Sequence, residues 1–247
     1  MEYCIITGAS RGLGEALARL MIERNTNLIC LSRQKNPDIE DLAKAKGTEL
    51  RWLECDLAKP EDVLGCLEEL FPPPFKLGKI DRVILINNAA TIEPVGLAGS
   101  LDERKLLAAA TLNFASLAAL CNRFIGTYRP VDWDKIILNI TSGAADYVIP
   151  GLSLYCASKA GMDMLTRSIA REQERADYPV RVAAVSPGMV DTSMQERIRS
   201  ANPEHLPVKE NFVKAMEKGK VVPPEEAAEG LIGFLESEFE SGTVTHL

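Results

Sequence analysis

The chain has 247 residues, of which 46% are hydrophobic and 26% charged, enough apolar sequence for one sizeable core. Its net charge of −7 excludes a basic field for nucleic acid or anionic lipid. No apolar run approaches the roughly 20 residues that span a bilayer, and the first residues do not resemble a signal peptide. Six cysteines without a CxxC pair indicate reduced, mostly buried thiols of a cytoplasmic protein. Two distant histidines, His205 and His246, do not suit a zinc site.

Short apolar runs alternate with stretches of helical periodicity along most of the chain. The predicted strands cover residues 3–7, 27–32, 49–55, 82–86, 135–141 and 180–185. The predicted helices cover residues 13–25, 37–46, 61–70, 101–128 and 153–176. Strands that are apolar on both faces and separated by helices are typical of a parallel sheet covered on both sides. We therefore expect one doubly wound, Rossmann-like α/β domain over residues 1–247.

Two stretches interrupt this alternation. The proline-rich residues 71–75 fall inside a βαβ unit, so we interpret them as a surface loop and not as a linker. Residues 187–224 follow the sixth strand and are much longer than a usual βα connection, with a short helix predicted at 192–199. We expect a substrate lid at about residues 188–222, lined by candidates Met189, Met194, Ile198, Leu206, Phe212, Val213 and Met216.

Three glycines, Gly8, Gly12 and Gly14, separate the first strand from the first helix. They supply a tight turn, a close approach to a pyrophosphate and close helix–strand packing, with the anion at the helix N-terminus. An ordinary glycine turn has the same composition, but this position favours dinucleotide binding. The Thr-Gly-x3-Gly-x-Gly spacing resembles the short-chain dehydrogenase/reductase family. The predicted cofactor contacts in this turn are Gly8, Ser10, Arg11, Gly12, Leu13 and Gly14.

The second strand indicates which nicotinamide cofactor is used. An NAD-selective site usually has an acidic residue after this strand, whereas here Ser32 and Arg33 follow without a carboxylate. Arg33 can meet a 2′-phosphate bidentately, Ser32 can add a hydrogen bond, and Arg11 is a second cation at the same end. Both arginines can also be read as solvated surface residues. Their positions at two cofactor-facing turns favour NADP(H).

Four residues form the predicted catalytic set. Tyr155 and Lys159 lie at i and i+4 on one helix face, Ser142 ends a strand, and Asn113 lies mid-helix, where asparagine is unfavourable. Each has an ordinary structural explanation alone, but their combination with the glycine turn favours catalysis. Reduction of a ketone needs a proton on oxygen, and a lysine ammonium lowers the pKa of a tyrosine below its usual value of about 10. Ser142 can hold the carbonyl oxygen.

The resemblance implies further roles. In this family the asparagine, here Asn113, fixes a water that links the lysine to solvent, and Lys159 binds the nicotinamide ribose. The segments after the third and fourth strands flank the adenosine, although this chain has Ala90 where the family motif usually ends in glycine. The Pro-Gly segment after the sixth strand holds the nicotinamide amide. The corresponding residues here are Asp56, Leu57, Asn88, Ala89, Pro187, Gly188, Val190 and Thr192.

Within the family, residues 186–195 resemble the sepiapterin reductase branch, and other stretches resemble bacterial benzil reductases that form (S)-benzoin. Sepiapterin reductases anchor the pterin with a C-terminal aspartate, whereas no carboxylate follows Gly242 here. This departure favours an apolar ketone, such as an aromatic 1,2-diketone, over a pterin. The predicted substrate contacts are Ser142, Gly143, Tyr155, Gly188, Met189 and Met194.

Two other functions fit part of this pattern. A nucleotide-sugar epimerase also uses Tyr-x3-Lys but needs a longer C-terminal domain and a different glycine spacing. A catalytically silent NADPH-binding regulator would be expected to lack part of the catalytic set. We therefore expect an NADPH-dependent carbonyl reductase with a small-molecule substrate and neither a membrane nor a nucleic-acid partner. Small residues on two long helices favour a homodimer: Ala115, Ala118, Ala119, Ala157, Ala160 and Gly161.

Overall fold

A computed structural model describes residues 1–71 and 80–247. In this part of the chain, seven strands form one sheet in the order β3-β2-β1-β4-β5-β6-β9, and every neighbouring pair is parallel. The predicted Rossmann-like fold is therefore confirmed. The sheet strands are β1 (Glu2–Thr7), β2 (Asn27–Ser32), β3 (Leu50–Glu54), β4 (Arg82–Asn87), β5 (Asp134–Ile140), β6 (Arg181–Ser186) and β9 (Val244–His246).

Helices cover both faces of the sheet. The five helices predicted from the sequence correspond to six in the structure, because one of them is divided in two: α1 (Gly12–Glu23), α2 (Pro37–Lys46), α3 (Pro60–Leu70), α4 (Glu103–Ala110), α5 (Ser116–Tyr128) and α6 (Ser153–Gln173). One apolar core joins α1, α2 and a later helix, α9 (Pro224–Glu236), to one face. A second core joins α3, α5 and α6 to the other face. Because strand side chains alternate between faces, each central strand contributes to both cores.

A chain of buried polar groups crosses the second core. Asn87 Nδ2 donates to Asn139 Oδ1 (2.8 Å), and Asn139 Nδ2 donates to Thr166 Oγ1 (2.8 Å). Thr166 in turn donates to Met162 O within its own helix. These bonds fix the lateral register of β4, β5 and α6 close to the carboxyl ends of the strands, because unpaired buried polar groups are unfavourable.

The helix predicted over residues 101–128 is interrupted. A π-helical turn, Thr111–Ala115, separates α4 from α5, and the Asp102 side chain caps α4 by accepting from Lys105 N (3.0 Å). The stretch Glu103–Tyr128 spans 26 residues and contains an 18-residue window with a mean hydropathy of 1.3. Among the described residues, this is the one helix that is long enough and apolar enough to cross a membrane, judged by length and composition only. A helix that covers a sheet has the same properties, and Leu117, Leu120 and Phe124 pack in the second core.

The region after β6 is more ordered than the sequence indicates. It forms two short strands, β7 (Met189–Val190) and β8 (Val221–Val222), which pair in parallel, and two helices, α7 (Ser193–Ser200) and α8 (Lys209–Glu217). Asp191 N donates to Val222 O (2.8 Å) and closes the base of this unit. Sequence periodicity predicted only the first helix, because strands of two residues and an exposed helix leave little pattern.

Two smaller predictions concern loops and cysteines. Phe71 is buried against Phe124, whereas residues 72–79 lie outside the described residues, so the surface-loop prediction falls largely outside them. All six cysteines are free, and four of them are buried, as predicted.

Candidate active site

The glycine turn has the geometry that its sequence predicts. Gly8 and Gly12 adopt positive φ angles of 70° and 57°, which side chains other than glycine rarely adopt. A Cβ at Gly14 would lie 2.1 Å from Gly8 O, so helix α1 packs against the turn without space for a methyl group. No side chain caps the N-terminus of α1, so its free N–H groups remain available to an anion.

Hydrogen bonds from the ends of other elements hold this turn in place. Thr7 Oγ1 accepts from Asn88 N and Ala89 N (3.0 Å each), and Asn88 Nδ2 donates to Thr7 O (2.9 Å) and Gly8 O (3.3 Å). Asn36 Nδ2 donates to Ser10 O (3.1 Å). The predicted contacts Asn88 and Ala89 therefore lie directly against the glycine turn.

The end of β2 presents cationic side chains. Arg33 and Arg11 are exposed, and neither has an ion-pair or hydrogen-bond partner among the described residues. Ser32 differs, because its hydroxyl donates to Gln34 O (2.6 Å) and accepts from Trp52 Nε1 (3.0 Å). Its single hydroxyl proton is thus already used, and Ser32 would have to release Gln34 before it could donate to a phosphate.

The segment after β3 is shaped by its own contacts. Asp56 Oδ1 accepts from Ala58 N (3.1 Å), which makes a tight turn. The Leu57 side chain is buried in the second core, and its carbonyl accepts from Ser116 Oγ (2.6 Å). Leu57 can therefore meet a cofactor only with its main chain, whereas Asp56 remains partly accessible.

Three of the four predicted catalytic residues meet at the carboxyl end of β5. Tyr155 and Lys159 lie one turn apart on α6, and Lys159 Nζ lies 5.7 Å from the centre of the Tyr155 ring. The Ser142 hydroxyl lies close enough to the Tyr155 phenol to lower its pKa. Lys159 Nζ donates to Ile140 O (2.7 Å), which anchors the ammonium group behind the ring and leaves two of its protons free.

Burial dominates the titration of this set. It raises the pKa of Tyr155 to about 12, although the nearby Ser142 hydroxyl opposes the shift. The expected lowering of the tyrosine pKa is therefore not found for the protein alone, because desolvation of the phenolate outweighs this opposing effect. Burial also lowers the pKa of Lys159 to about 8, against an opposing effect of Asp163. Tyr155 is consequently protonated at neutral pH, the form that donates a proton.

Asn113 lies within the π-helical turn and not in a regular helix. Its side chain is buried, accepts from Thr91 N and donates to Thr91 O, both at 2.8 Å. The amide oxygen and one amide proton thus hold the loop after β4. The irregular backbone of a π turn is common at functional sites, and the water-holding role of Asn113 remains a prediction.

The segment after β6 returns to the glycine turn. Gly188 has a φ of 75°, and Val190 is buried in the first core. The methyl group of Thr192 would lie 3.2 Å from a Cβ at Gly12, so Thr192 packs against the turn. The segments that follow the first and sixth strands therefore contact each other at Gly12 and Thr192.

An apolar cluster lies beside Tyr155. Ile198 and Leu206 of the predicted lid are buried there with Ile92 and Leu152. Partly buried residues that complete the cluster are Val95, Ile149, Tyr155, Cys156, Met194, Ala201, Val208 and Phe212. Met189 and Val213 are partly buried outside this cluster, and Met216 is exposed. The lid is therefore already packed against the loop that precedes α6.

Sequence reasoning missed several residues that shape the site. Thr7 and Asn36 position loops of the site through their side chains, and Thr91 does so through its main chain. Asparagine followed by proline, as in Asn36-Pro37, is a helix-start signal that could have indicated Asn36. Asp163, a buried carboxyl one turn beyond Lys159, also went unnoticed. Among the described residues, no group of three or more histidine, cysteine or carboxylate side chains could hold a metal ion.

Comparisons with known proteins agree with this geometry. Residues 2–203 match the family model described as short chain dehydrogenase. A benzil reductase ((S)-benzoin forming) from Bacillus subtilis (strain 168) is 35% identical over 99% of this chain and 97% of its own length. The Bacillus cereus enzyme of the same name is 32% identical over 100% and 99%, respectively. A sepiapterin reductase from Xenopus tropicalis is 30% identical over 97% of this chain and 93% of its own.

Solved structures show the same fold. The crystal structure of the KRED1-Pglu enzyme matches with a TM-score of 0.82 and 26% identity, covering 99% of this chain and 100% of that one. An NADP-bound structure of a putative 2-deoxy-d-gluconate 3-dehydrogenase from Agrobacterium tumefaciens matches with a TM-score of 0.81 and 22% identity, over 100% and 94%. From the family match and the relatives, this chain belongs to the short-chain dehydrogenase family and is an oxidoreductase.

Proposed function

We propose that the protein is an NADPH-dependent carbonyl reductase that acts on a small hydrophobic ketone. The observation that carries this proposal is the position of the Tyr155 phenol, which has the Ser142 hydroxyl close enough to lower its pKa and the Lys159 ammonium 5.7 Å from its ring centre. A protonated phenol and a hydroxyl at one point match the needs of a carbonyl oxygen that gains negative charge.

The glycine turn fits the cofactor, because Gly8 and Gly12 adopt the positive φ angles of a tight turn and the start of α1 has free N–H groups. A bound nicotinamide supplies the hydride for the carbonyl carbon. Tyr155 then gives its proton to the carbonyl oxygen, and Ser142 orients that oxygen and stabilises its charge. Lys159 stabilises the resulting phenolate and holds the ribose with its remaining protons. Overall, ketone, NADPH and one proton give alcohol and NADP+.

The preference for NADPH rests on Arg33 and Arg11. Both guanidinium groups are exposed and unpaired among the described residues, so a 2′-phosphate would not have to displace an existing partner. No carboxylate follows β2 directly to repel that phosphate.

The substrate is proposed to be an aromatic or hydrophobic 1,2-diketone that is reduced once, as in the conversion of benzil to benzoin. The apolar cluster around Met194, Leu206 and Phe212 suits such a ligand better than a pterin, whose ring edge needs several hydrogen bonds. Strand β9 contributes His246, whose Nε2 atom lies 3.0 Å from Asp146 Oδ2, and the strand itself has no carboxylate side chain. The relatives named benzil reductase support the same class.

A screen of NADPH oxidation with benzil, sepiapterin, quinones and steroids tests the proposal. We expect benzil to be reduced to the hydroxyketone and to exceed sepiapterin in kcat/KM. The second carbonyl activates the first, and this activation is lost after one reduction. Sepiapterin is the second candidate because of the sepiapterin reductase relatives. A tenfold advantage for sepiapterin would overturn the diketone assignment, and no oxidation with any ketone would overturn the reductase.

We also propose a homodimer in the cytoplasm. Ala115, Ala157 and Ala160 are exposed on the α5–α6 side of the molecule, close to the exposed apolar Leu107 and Met164. A face with small and apolar residues suits close packing against a second copy. The free cysteines fit a reducing compartment.

A further inference from the structure

Asp163 is a buried carboxyl group that the proposed reaction does not use. It lies on α6 one turn beyond Lys159, and only 5% of its surface is exposed. Its Oδ1 atom has no hydrogen-bond partner among the described residues. A buried carboxyl without full hydrogen bonding is unfavourable and calls for a reason.

The segment Ile140-Thr141-Ser142 faces this part of α6. Ile140 O accepts from Lys159, and Ser142 lies close enough to Tyr155 to lower its pKa. Thr141 lies between them, close enough to Asp163 to lower the pKa of its carboxyl, although the Thr141 hydroxyl does not complete a well-formed hydrogen bond. The last residue of β5 and the two residues after it thus approach three residues on one face of α6.

The charges around Asp163 are few. Burial raises its pKa, whereas Arg167 and Lys159 on the same helix lower it. Asp146, from the turn after β5, raises it, but Asp146 is half-exposed and paired with His246. Asp163 does not form an ion pair with Lys159, which donates to Ile140 O instead. Asp163 and Lys159 lie one helical turn apart and both are buried, so solvent screens their interaction only weakly.

We propose that Asp163 is a positioning residue that keeps Lys159 in its charged ammonium form as pH rises, and so sets the alkaline limit of carbonyl reduction. The part of this proposal that concerns carbonyl reduction rests on the proposed function. The pKa of Lys159 is lowered to about 8 by burial, and Asp163 is the group that opposes this shift. Without the carboxylate, the ammonium would be lost closer to neutral pH.

The sign of the effect follows from electrostatics. Removal of a nearby negative charge makes proton loss easier for both Lys159 and Tyr155. Reduction needs a protonated Tyr155 and a charged Lys159, so loss of either proton slows it. The alkaline limb of the pH profile therefore moves to lower pH in Asp163→Asn, by about one pH unit for a buried charge one helical turn away.

The first experiment measures Lys159 directly in the protein without cofactor. The protein is labelled with [13C-ε]lysine, the Lys159 resonance is assigned with Lys159→Arg, and its titration is followed by NMR. We expect the midpoint to fall by about one pH unit in Asp163→Asn and to be restored in Asp163→Glu. Asp146→Asn, which removes a half-exposed carboxyl, is the matched control and should shift the midpoint by much less.

The second experiment measures the pH profile of kcat for a ketone that the protein reduces. A parallel shift of the alkaline limb in Asp163→Asn, with unchanged thermal stability, supports the proposal. An unchanged Lys159 midpoint overturns it, whether or not ketones are reduced. A shifted midpoint without any ketone reduction refutes only the proposed function. If Asp163→Asn does not fold, Asp163→Ser removes the same charge with a smaller side chain.

Discussion

The side-chain amide of Asn88 occupies the space where a side chain at Gly14 would have to lie. A Cβ built on Gly14 would be 2.6 Å from Asn88 Nδ2 and 2.1 Å from Gly8 O. The same amide donates to Thr7 O and Gly8 O, so it cannot move away without releasing the turn. The third glycine is therefore required by the close approach of three elements and not by its own backbone angles.

Gly14→Ala should destabilise the protein and abolish most cofactor binding, because the methyl group must displace backbone. Thermal unfolding and titration with NADPH measure the two effects. Gly233→Ala is the matched control: it lies in α9, nothing lies within 4 Å of the added Cβ, and alanine there should stabilise by about 0.5–1 kcal/mol. Normal cofactor affinity in Gly14→Ala would contradict the proposed packing.

Tyr155→Phe should lower kcat/KM by about 10²- to 10⁴-fold while NADPH still binds, because it removes the proton donor and keeps the ring. Steady-state kinetics and a fluorescence titration of NADPH separate the two steps. Tyr147→Phe controls for loss of a nearby phenol, since Tyr147 is 71% exposed after the Gly143–Ala145 turn. Near wild-type turnover in Tyr155→Phe would mean that another group supplies the proton.

Arg33→Asp should erase or invert the preference for NADPH over NADH. A charged hydrogen bond contributes about 1.5–3 kcal/mol, or roughly 10- to 150-fold in affinity, and the new carboxylate would repel the 2′-phosphate. The ratio of kcat/KM for the two cofactors is the measurement. Lys46→Asp makes the same charge change at the exposed end of α2 and should leave the ratio unchanged. Equal use of both cofactors by the unmodified protein would refute the preference.

Leu107→Glu combined with Met164→Glu should convert the expected dimer into a monomer. These side chains are 70% and 60% exposed on α4 and α6, which contact each other. In a dimer that packs through this face, the new carboxylates would be removed from water without a charged partner, which is unfavourable. Light scattering at micromolar concentration measures the mass, with Leu64→Glu on α3 as a control for an exposed leucine elsewhere. A monomeric unmodified protein would rule out the dimer.

Much of the fold follows from sequence periodicity. The six predicted strands appear within a residue or so of their predicted positions, because five of them are short apolar runs buried on both faces, whereas β3 at the sheet edge is only partly buried. The glycine turn, Ser142, Tyr155 and Lys159 were also found, since their chemistry depends on residue type and spacing. The local sequence pattern was therefore sufficient to predict features whose geometry is determined within a single strand, turn or helix.

The rest depends on contacts between distant parts of the chain. The partners of Ser32 and Asn113 are Trp52 and Thr91, respectively, and no spacing rule joins them. The π-helical turn at Asn113 is likewise set by its tertiary bond, and the raised pKa of Tyr155 by burial. Strand β9 has only three residues and pairs because β6 offers a free edge, so its pattern is too short to detect.

The contacts of the site differ in how far apart they lie along the chain. Ser142, Tyr155 and Lys159 come from one continuous strand–turn–helix segment, whereas Asn88 reaches Thr7 across 81 residues. Loop-closure entropy grows with separation, so the second contact depends on a completed sheet in a way that the first does not. Local unfolding of β1 would therefore dismantle the nucleotide-binding half of the enzyme first, and leave its proton-donating half assembled without a partner.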